Sequence, residues 1–109
     1  MKIAIACDHG GLNLKKALIA YLERNGYEYV DFGTNSAESC DYPDYALPAA
    51  ESVARGECDR GIVICSTGIG VSIVANKVPG VRCPQFPDTY FGKYTPYHNA
   101  PNILAMGEK

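Results

Sequence analysis

The sequence predicts a doubly wound, Rossmann-like α/β domain. It is expected to carry a parallel sheet of about five strands in a three-layer α/β/α arrangement. Three observations carry this. Short runs rich in Ile, Val and Ala alternate along the chain with stretches of helical periodicity, the pattern of strands joined by crossover helices. Gly61-Ile62-Val63-Ile64-Cys65 is apolar throughout and has no turn signal, as expected of a strand buried on both faces. It runs directly into Ser66-Thr67-Gly68-Ile69-Gly70, after which 71–76 reads as the first turns of a helix. Strand, glycine-bearing turn and helix N-terminus in that order converge free N–H groups and a helix dipole on one point.

The elements follow in order. Residues 2–7 form a first buried strand, and Asp8-His9-Gly10-Gly11 turns the chain. Leu14, Ala17, Leu18, Tyr21 and Leu22 recur at helical spacing, and Asn25-Gly26 ends that helix. Residues 29–32 are a second short strand closed by Gly33, whose loop runs to Asp41-Tyr42-Pro43-Asp44. Ala46, Ala49, Ala50, Val53 and Ala54 mark a second helix ending at Gly56, with Pro48 predicting a late start or a bend. After the central strand and its helix, 81–83 is expected as a fourth strand curtailed by Pro84. Phe86, Tyr90, Phe91 and Tyr94 form an aromatic stripe of core character, and 102–107 is a fifth strand.

The whole-chain balance narrows the function. With 109 residues, 47% of them hydrophobic, the chain fits one small domain with a modest core. A net charge of -2 leaves no basic stripe for a nucleic-acid backbone. No apolar run reaches the roughly 20 residues of a membrane span, and the opening MKIAIAC followed by Asp8-His9 is too short for a signal peptide. The five cysteines (7, 40, 58, 65 and 83) include no C-x-x-C pair, so no disulfide frame, structural zinc or other metal site is expected. A reducing cytoplasm fits that usage.

Ligands of doubly wound folds sit beyond the carboxyl ends of the strands, where strand order reverses. That rule gathers Asp8 to Gly11, Asp41 to Asp44 and Cys65 to Gly70, with His98-Asn99 approaching from elsewhere or from a second subunit. A cysteine at a helix N-terminus is suited to act as a base or a nucleophile. Backbone N–H groups of Ser66, Gly68, Ile69 and Gly70 are suited to hold a developing oxyanion. Thr67 can relay a proton, His98 can serve acid–base work, and Asp8 and His9 suit sugar hydroxyls or a phosphate. Tyr42, before a proline, lies in the loop that this rule brings near. Together these favour proton abstraction beside a carbonyl over hydrolysis. Other thiol and phosphate motifs fail. A phosphatase loop needs arginine where Val71 stands, the Gly-Lys-Ser/Thr ending of a P-loop is missing, and Gly68-Ile69-Gly70 lacks the third glycine of a dinucleotide fingerprint.

These residues resemble the type B ribose-5-phosphate isomerase family, which includes the galactose-6-phosphate isomerase subunits. The likeness runs through residues 2–11, Asp31-Phe32-Gly33-Thr34, Asp41-Tyr42-Pro43-Asp44, residues 61–70, Ala75-Asn76-Lys77, His98-Asn99 and residues 102–107. The resemblance implies cofactor-free interconversion of ribose 5-phosphate and ribulose 5-phosphate through a cis-enediolate. Galactose 6-phosphate, allose 6-phosphate and a non-catalytic sugar-phosphate-binding or assembly subunit are the alternatives.

By that resemblance Cys65 is the base between C1 and C2, Thr67 and His98 open the sugar ring, and Asp8 holds its hydroxyls. The Gly68 to Gly70 turn and Asn99 stabilise the enediolate, His9 approaches the phosphate, and Tyr42 lines the pocket. It also implies a homodimer or tetramer with sites shared between subunits. The chain reads as a single domain, 1–109, that stops short of the family's C-terminal helix and its phosphate-binding arginines. It departs further at Pro84, Pro87, Pro96 and Pro101, and has Pro96-Tyr97 where the family often has Arg-Glu. Arg82, Lys93 and His9 remain as basic candidates for the phosphate.

Overall fold

The computed structural model describes residues 1–85 and 100–109. The aromatic stripe at 86–94 and the pair His98-Asn99 lie outside them. Strand β1 (Lys2–Cys7) leads through a 3-10 turn (His9–Gly11) into helix α1 (Leu12–Arg24). Strand β2 (Glu28–Asp31), helix α2 (Pro43–Ala54), strand β3 (Arg60–Cys65), helix α3 (Ile69–Asn76) and strand β4 (Ile103–Gly107) follow. The four strands pair in parallel in the order β2-β1-β3-β4, so the chain steps from β1 outward to β2 and then crosses to β3. That reversal places the switch point between β1 and β3.

Side-chain alternation on the strands divides the core. Ala4 and Ala6 of β1, Val63 and Cys65 of β3, and Ile103 and Ala105 of β4 face one side. Ala46, Ala49, Ala50 and Val53 of α2 and Val71 and Ala75 of α3 pack there. Ile5, Cys7 and Ile64 face the other, against Leu12 and the half-buried Leu14, Leu18 and Ile19 of α1. The three layers are therefore α1, sheet, and α2 with α3. Small alanines on β1 and α2 allow close approach, while each buried Ile or Val contributes roughly 1.5–3 kcal/mol.

Three expectations need correction. The segment 81–83 does not become a strand: the Arg82 and Cys83 amides donate to the side chains of Asn102 (2.9 Å) and Asn76 (2.8 Å). Pro84 has no N–H to give. The Arg82 carbonyl accepts the Asn102 and Ile103 amides, and the Pro84 carbonyl accepts the Ala105 amide. Among the described residues of this segment, the pairing with β4 goes no further than a single bridge of Gln85 to Ala105. The sheet thus has four strands among the described residues. Helix α2 starts early rather than late, with Pro43 in its first turn, and continues past Pro48. Pro48 lies on the exposed face, so its ring meets no packed neighbour layer. In α1 the fully or nearly buried positions are Leu12, Lys15 and Leu22, whereas Ala17 and Tyr21 are exposed.

Candidate active site

The site is assembled at the carboxyl edge of β1 and β3. At the end of β1, the Asp8 carboxylate accepts the Gly10 N–H at 2.9 Å and so caps the 3-10 turn. The Asp8 amide donates to the Ile64 carbonyl at 3.2 Å, tying this corner to β3. Gly10 lies so near the next loop that a Cβ there would stand 2.3 Å from the Ser66 hydroxyl oxygen. Asp8 is buried and His9 is exposed.

At the end of β3, the side chain of Cys65 points toward the α2–α3 face and is 6% exposed. Its sulfur accepts the Gly68 N–H at 3.1 Å and lies 4.0 Å from the Thr67 hydroxyl. Thr67 Oγ1 in turn accepts the Ile69 N–H at 3.1 Å. The turn can fold back onto the thiol because Gly68 has φ 82°, the left-handed conformation that glycine adopts without a Cβ penalty. Two of the expected oxyanion donors, the Gly68 and Ile69 amides, are thus already committed to the Cys65 and Thr67 side chains. The Gly70 and Val71 amides, in the first turn of α3, have no intrahelical acceptor.

Loops from elsewhere reach the same place. A Cβ on Gly70 would stand 2.7 Å from the Tyr42 ring, so that ring lies directly over the start of α3. The Cys40 amide donates to His9 Nδ1 at 3.2 Å, and the Cys40 sulfur lies 3.8 Å from the same nitrogen. A neutral His9 holding this bond carries its proton on Nε2. Behind the turn, the Glu108 and Lys109 amides donate to the Cys65 and Ser66 carbonyls, and Gln85 Nε2 donates to the Thr67 carbonyl at 3.0 Å. The structure therefore brings together Asp8, His9, Tyr42 and residues 65–70, while His98 and Asn99 lie outside the described residues.

Sequence reasoning passed over Lys15, Cys40, Gln85 and Glu108. Lys15 alone left a signal: it falls three residues after Leu12 and seven before Leu22, on the stripe that packs inward. The other cysteines have different surroundings. Burial pushes the Cys7 thiol up to about 11 and the Cys83 thiol up to about 12, so both stay protonated at neutral pH. Among the described residues no group of three or more His, Cys, Asp or Glu side chains is placed to hold a metal ion. Nor is any helix among them long and apolar enough to cross a membrane. A cavity of about 590 Å³ opens at the opposite edge of the sheet, lined by Met1, Ile3, Tyr27, Arg60 and Leu104. It touches none of the residues at the carboxyl edge, which carry the thiol, hydroxyls, carboxylate and imidazole.

A parallel sheet wound on both faces, with these groups converging at its switch point, defines an α/β enzyme of the kind that works at strand ends. The family model described as Ribose/Galactose Isomerase matches residues 3–109. The chain is 53% identical to the putative sugar phosphate isomerase YwlF of Bacillus subtilis, covering 100% of this chain and 74% of that one. It is 46% identical to ribose-5-phosphate isomerase B of Escherichia coli, covering 99% and 72% respectively. The solved structure of Clostridium thermocellum ribose-5-phosphate isomerase B superposes with a TM-score of 0.97 at 56% identity, over 99% of this chain and 73% of that one. The chain belongs to the ribose/galactose isomerase family and is an aldose–ketose isomerase.

Proposed function

We propose that the protein interconverts ribose 5-phosphate and ribulose 5-phosphate through a cis-enediolate, with Cys65 as the base. The observation that carries this reading is the seat of the Cys65 sulfur, 3.1 Å from the Gly68 amide in the turn between β3 and α3. A negative charge on that sulfur is met by a hydrogen bond. The thiolate takes the C2 proton of the open-chain aldose, the C–H pair becomes the C1–C2 double bond, and charge collects on O1. The O2 hydroxyl proton passes to O1, and the thiol returns its proton to C1, which leaves the ketose. The Gly70 and Val71 amides are the turn's donors for the enediolate oxygens, joined by Asn99.

The remaining roles follow from position and chemistry. Thr67 and His98 move protons during ring opening, and Asp8 accepts hydrogen bonds from sugar hydroxyls. His9, with its proton on Nε2, donates to the substrate phosphate. Tyr42 forms the wall over Gly70. A second copy of the chain supplies His98 and Asn99 to the Cys65 of its partner. The family's description also covers galactose, so galactose 6-phosphate is the second substrate to compare.

The test is ketose formation from ribose 5-phosphate with intact protein and with Cys65→Ala. Losing a positioned base lowers kcat about 10²- to 10⁴-fold. Equal turnover by the two proteins would eliminate Cys65 as the base, and faster turnover of galactose 6-phosphate would reassign the substrate.

A further inference from the structure

Lys15 is fully buried, and it is a charged residue in an otherwise apolar layer. Its ammonium contacts both carboxylate oxygens of Asp31 (2.8 and 3.0 Å), the Thr34 carbonyl and the Asn35 side-chain oxygen (2.9 Å). Asp31 also accepts the Gly33 amide at 2.9 Å. Main-chain bonds fasten the same corner to the end of β1: Cys7 N–H to the Gly33 carbonyl and Thr34 N–H to the Cys7 carbonyl, each 2.7 Å. Burying an ammonium is costly, and an apolar side chain of similar length would fill the same layer. Simple packing therefore does not account for a lysine here.

What the ammonium holds is the root of the loop that reaches the site. Beyond Asn35 that loop delivers the Cys40 amide to His9 Nδ1 and the Tyr42 ring to Gly70. We propose that Lys15 is a positioning residue: its ammonium fixes the Asp31–Asn35 corner so that the loop sets the His9 tautomer and seats Tyr42. Its relevance to turnover rests on the isomerase reading above. Its structural content does not.

The experiment compares intact protein with Lys15→Met and with the neutral pair Lys15→Met/Asp31→Asn, in which the carboxamide oxygen introduced at position 31 still accepts the Gly33 amide. Ring nitrogen shifts of His9 by NMR read the tautomer directly. Both variants are expected to lose the signature of an Nδ1 acceptor. Because His9 and Tyr42 touch bound substrate rather than the reacting carbons, KM for ribose 5-phosphate rises about tenfold while kcat changes less than about threefold. Should the lysine variants not fold, Asn35→Ala removes one of the ammonium's partners at an exposed position and shifts the His9 signals the same way by less. An unmoved His9 signature in any folded variant overturns the proposal. A shifted signature in a chain that never turns over ribose 5-phosphate removes the proposed reaction and leaves Lys15 as the loop's anchor.

Discussion

Replacing Gly68 by alanine puts a number on the construction of the turn beneath Cys65. Two costs add there. An L-residue held in the left-handed region costs roughly 1–2 kcal/mol, and Gly68 has φ 82°. The new Cβ also stands 2.8 Å from the Met106 carbonyl carbon and 3.1 Å from the Gly107 nitrogen, both main-chain atoms of β4 that cannot rotate aside. Overpacking of that kind adds roughly 1–3 kcal/mol. The stiffer unfolded chain returns about 0.4–1 kcal/mol, leaving a net loss of roughly 1–4.6 kcal/mol.

Gly26 supplies the control, because its φ is 74° and a Cβ there meets nothing within 4 Å. Gly26→Ala carries the backbone cost alone, a net of roughly 0–1.6 kcal/mol. Urea unfolding of both variants by linear extrapolation measures the difference, which is the price of the β4 contact. If the two variants lose the same stability to within about 0.5 kcal/mol, the close approach of β4 to the turn does not hold and the reasoning fails.

Two further outcomes are expected. The Glu108 carboxylate accepts the Leu14 amide at 2.8 Å and caps α1, whose own N-cap residue, Gly11, has no side chain to do so. Glu108→Ala then costs about 1 kcal/mol and speeds hydrogen exchange at the Leu14 amide, and an unchanged exchange rate would count against the cap. Cys7 and Cys83 keep their protons in the fold up to about pH 11 and 12, against 9.0 without burial. The unfolded chain therefore binds fewer protons than the fold above pH 9, so stability from these thiols is full below pH 9 and is lost as pH rises through 11 to 12. Thermal unfolding midpoints recorded from pH 8 upward report it, and Cys83→Ala flattens the decline; an undiminished slope in that variant speaks against the assignment.

The layered scaffold is legible in the sequence because burial on both faces leaves a pattern that strands cannot hide. The runs at Lys2–Cys7 and 61–65 have no polar face to offer. Ala46, Ala49 and Ala50 match the face that α2 buries, whereas Ala54, expected on that face, is exposed. The turn after Cys65 is equally readable, since Gly68 and Gly70 stand where the chain must reverse and where Tyr42 must fit. What escapes is set by side chains acting across distance. The side chains of Asn76 and Asn102 take the Arg82 amide and both backbone groups of Cys83 out of the ladder, and neither residue advertises this locally. Lys15 falls on the inward stripe of α1, but a lysine reads as solvent-facing until Asp31 and the Thr34 carbonyl close around it. Pro48 reads as a break, yet on the outer face of α2 a missing N–H is tolerated.

The contact between the turn and β4 has a consequence for how substrate preference can change. A Cβ on Gly107 would lie 2.7 Å from the Thr67 carbonyl carbon and oxygen, so backbone rests on backbone beneath the thiol. Adding a side chain at Gly68 or Gly107 would force these two backbones apart, so the floor is set by glycine on both sides. On the reading proposed above, a site for a longer or shorter sugar is reshaped at the side chains around the turn, His9 and Tyr42, rather than at the ledge that bears the sulfur.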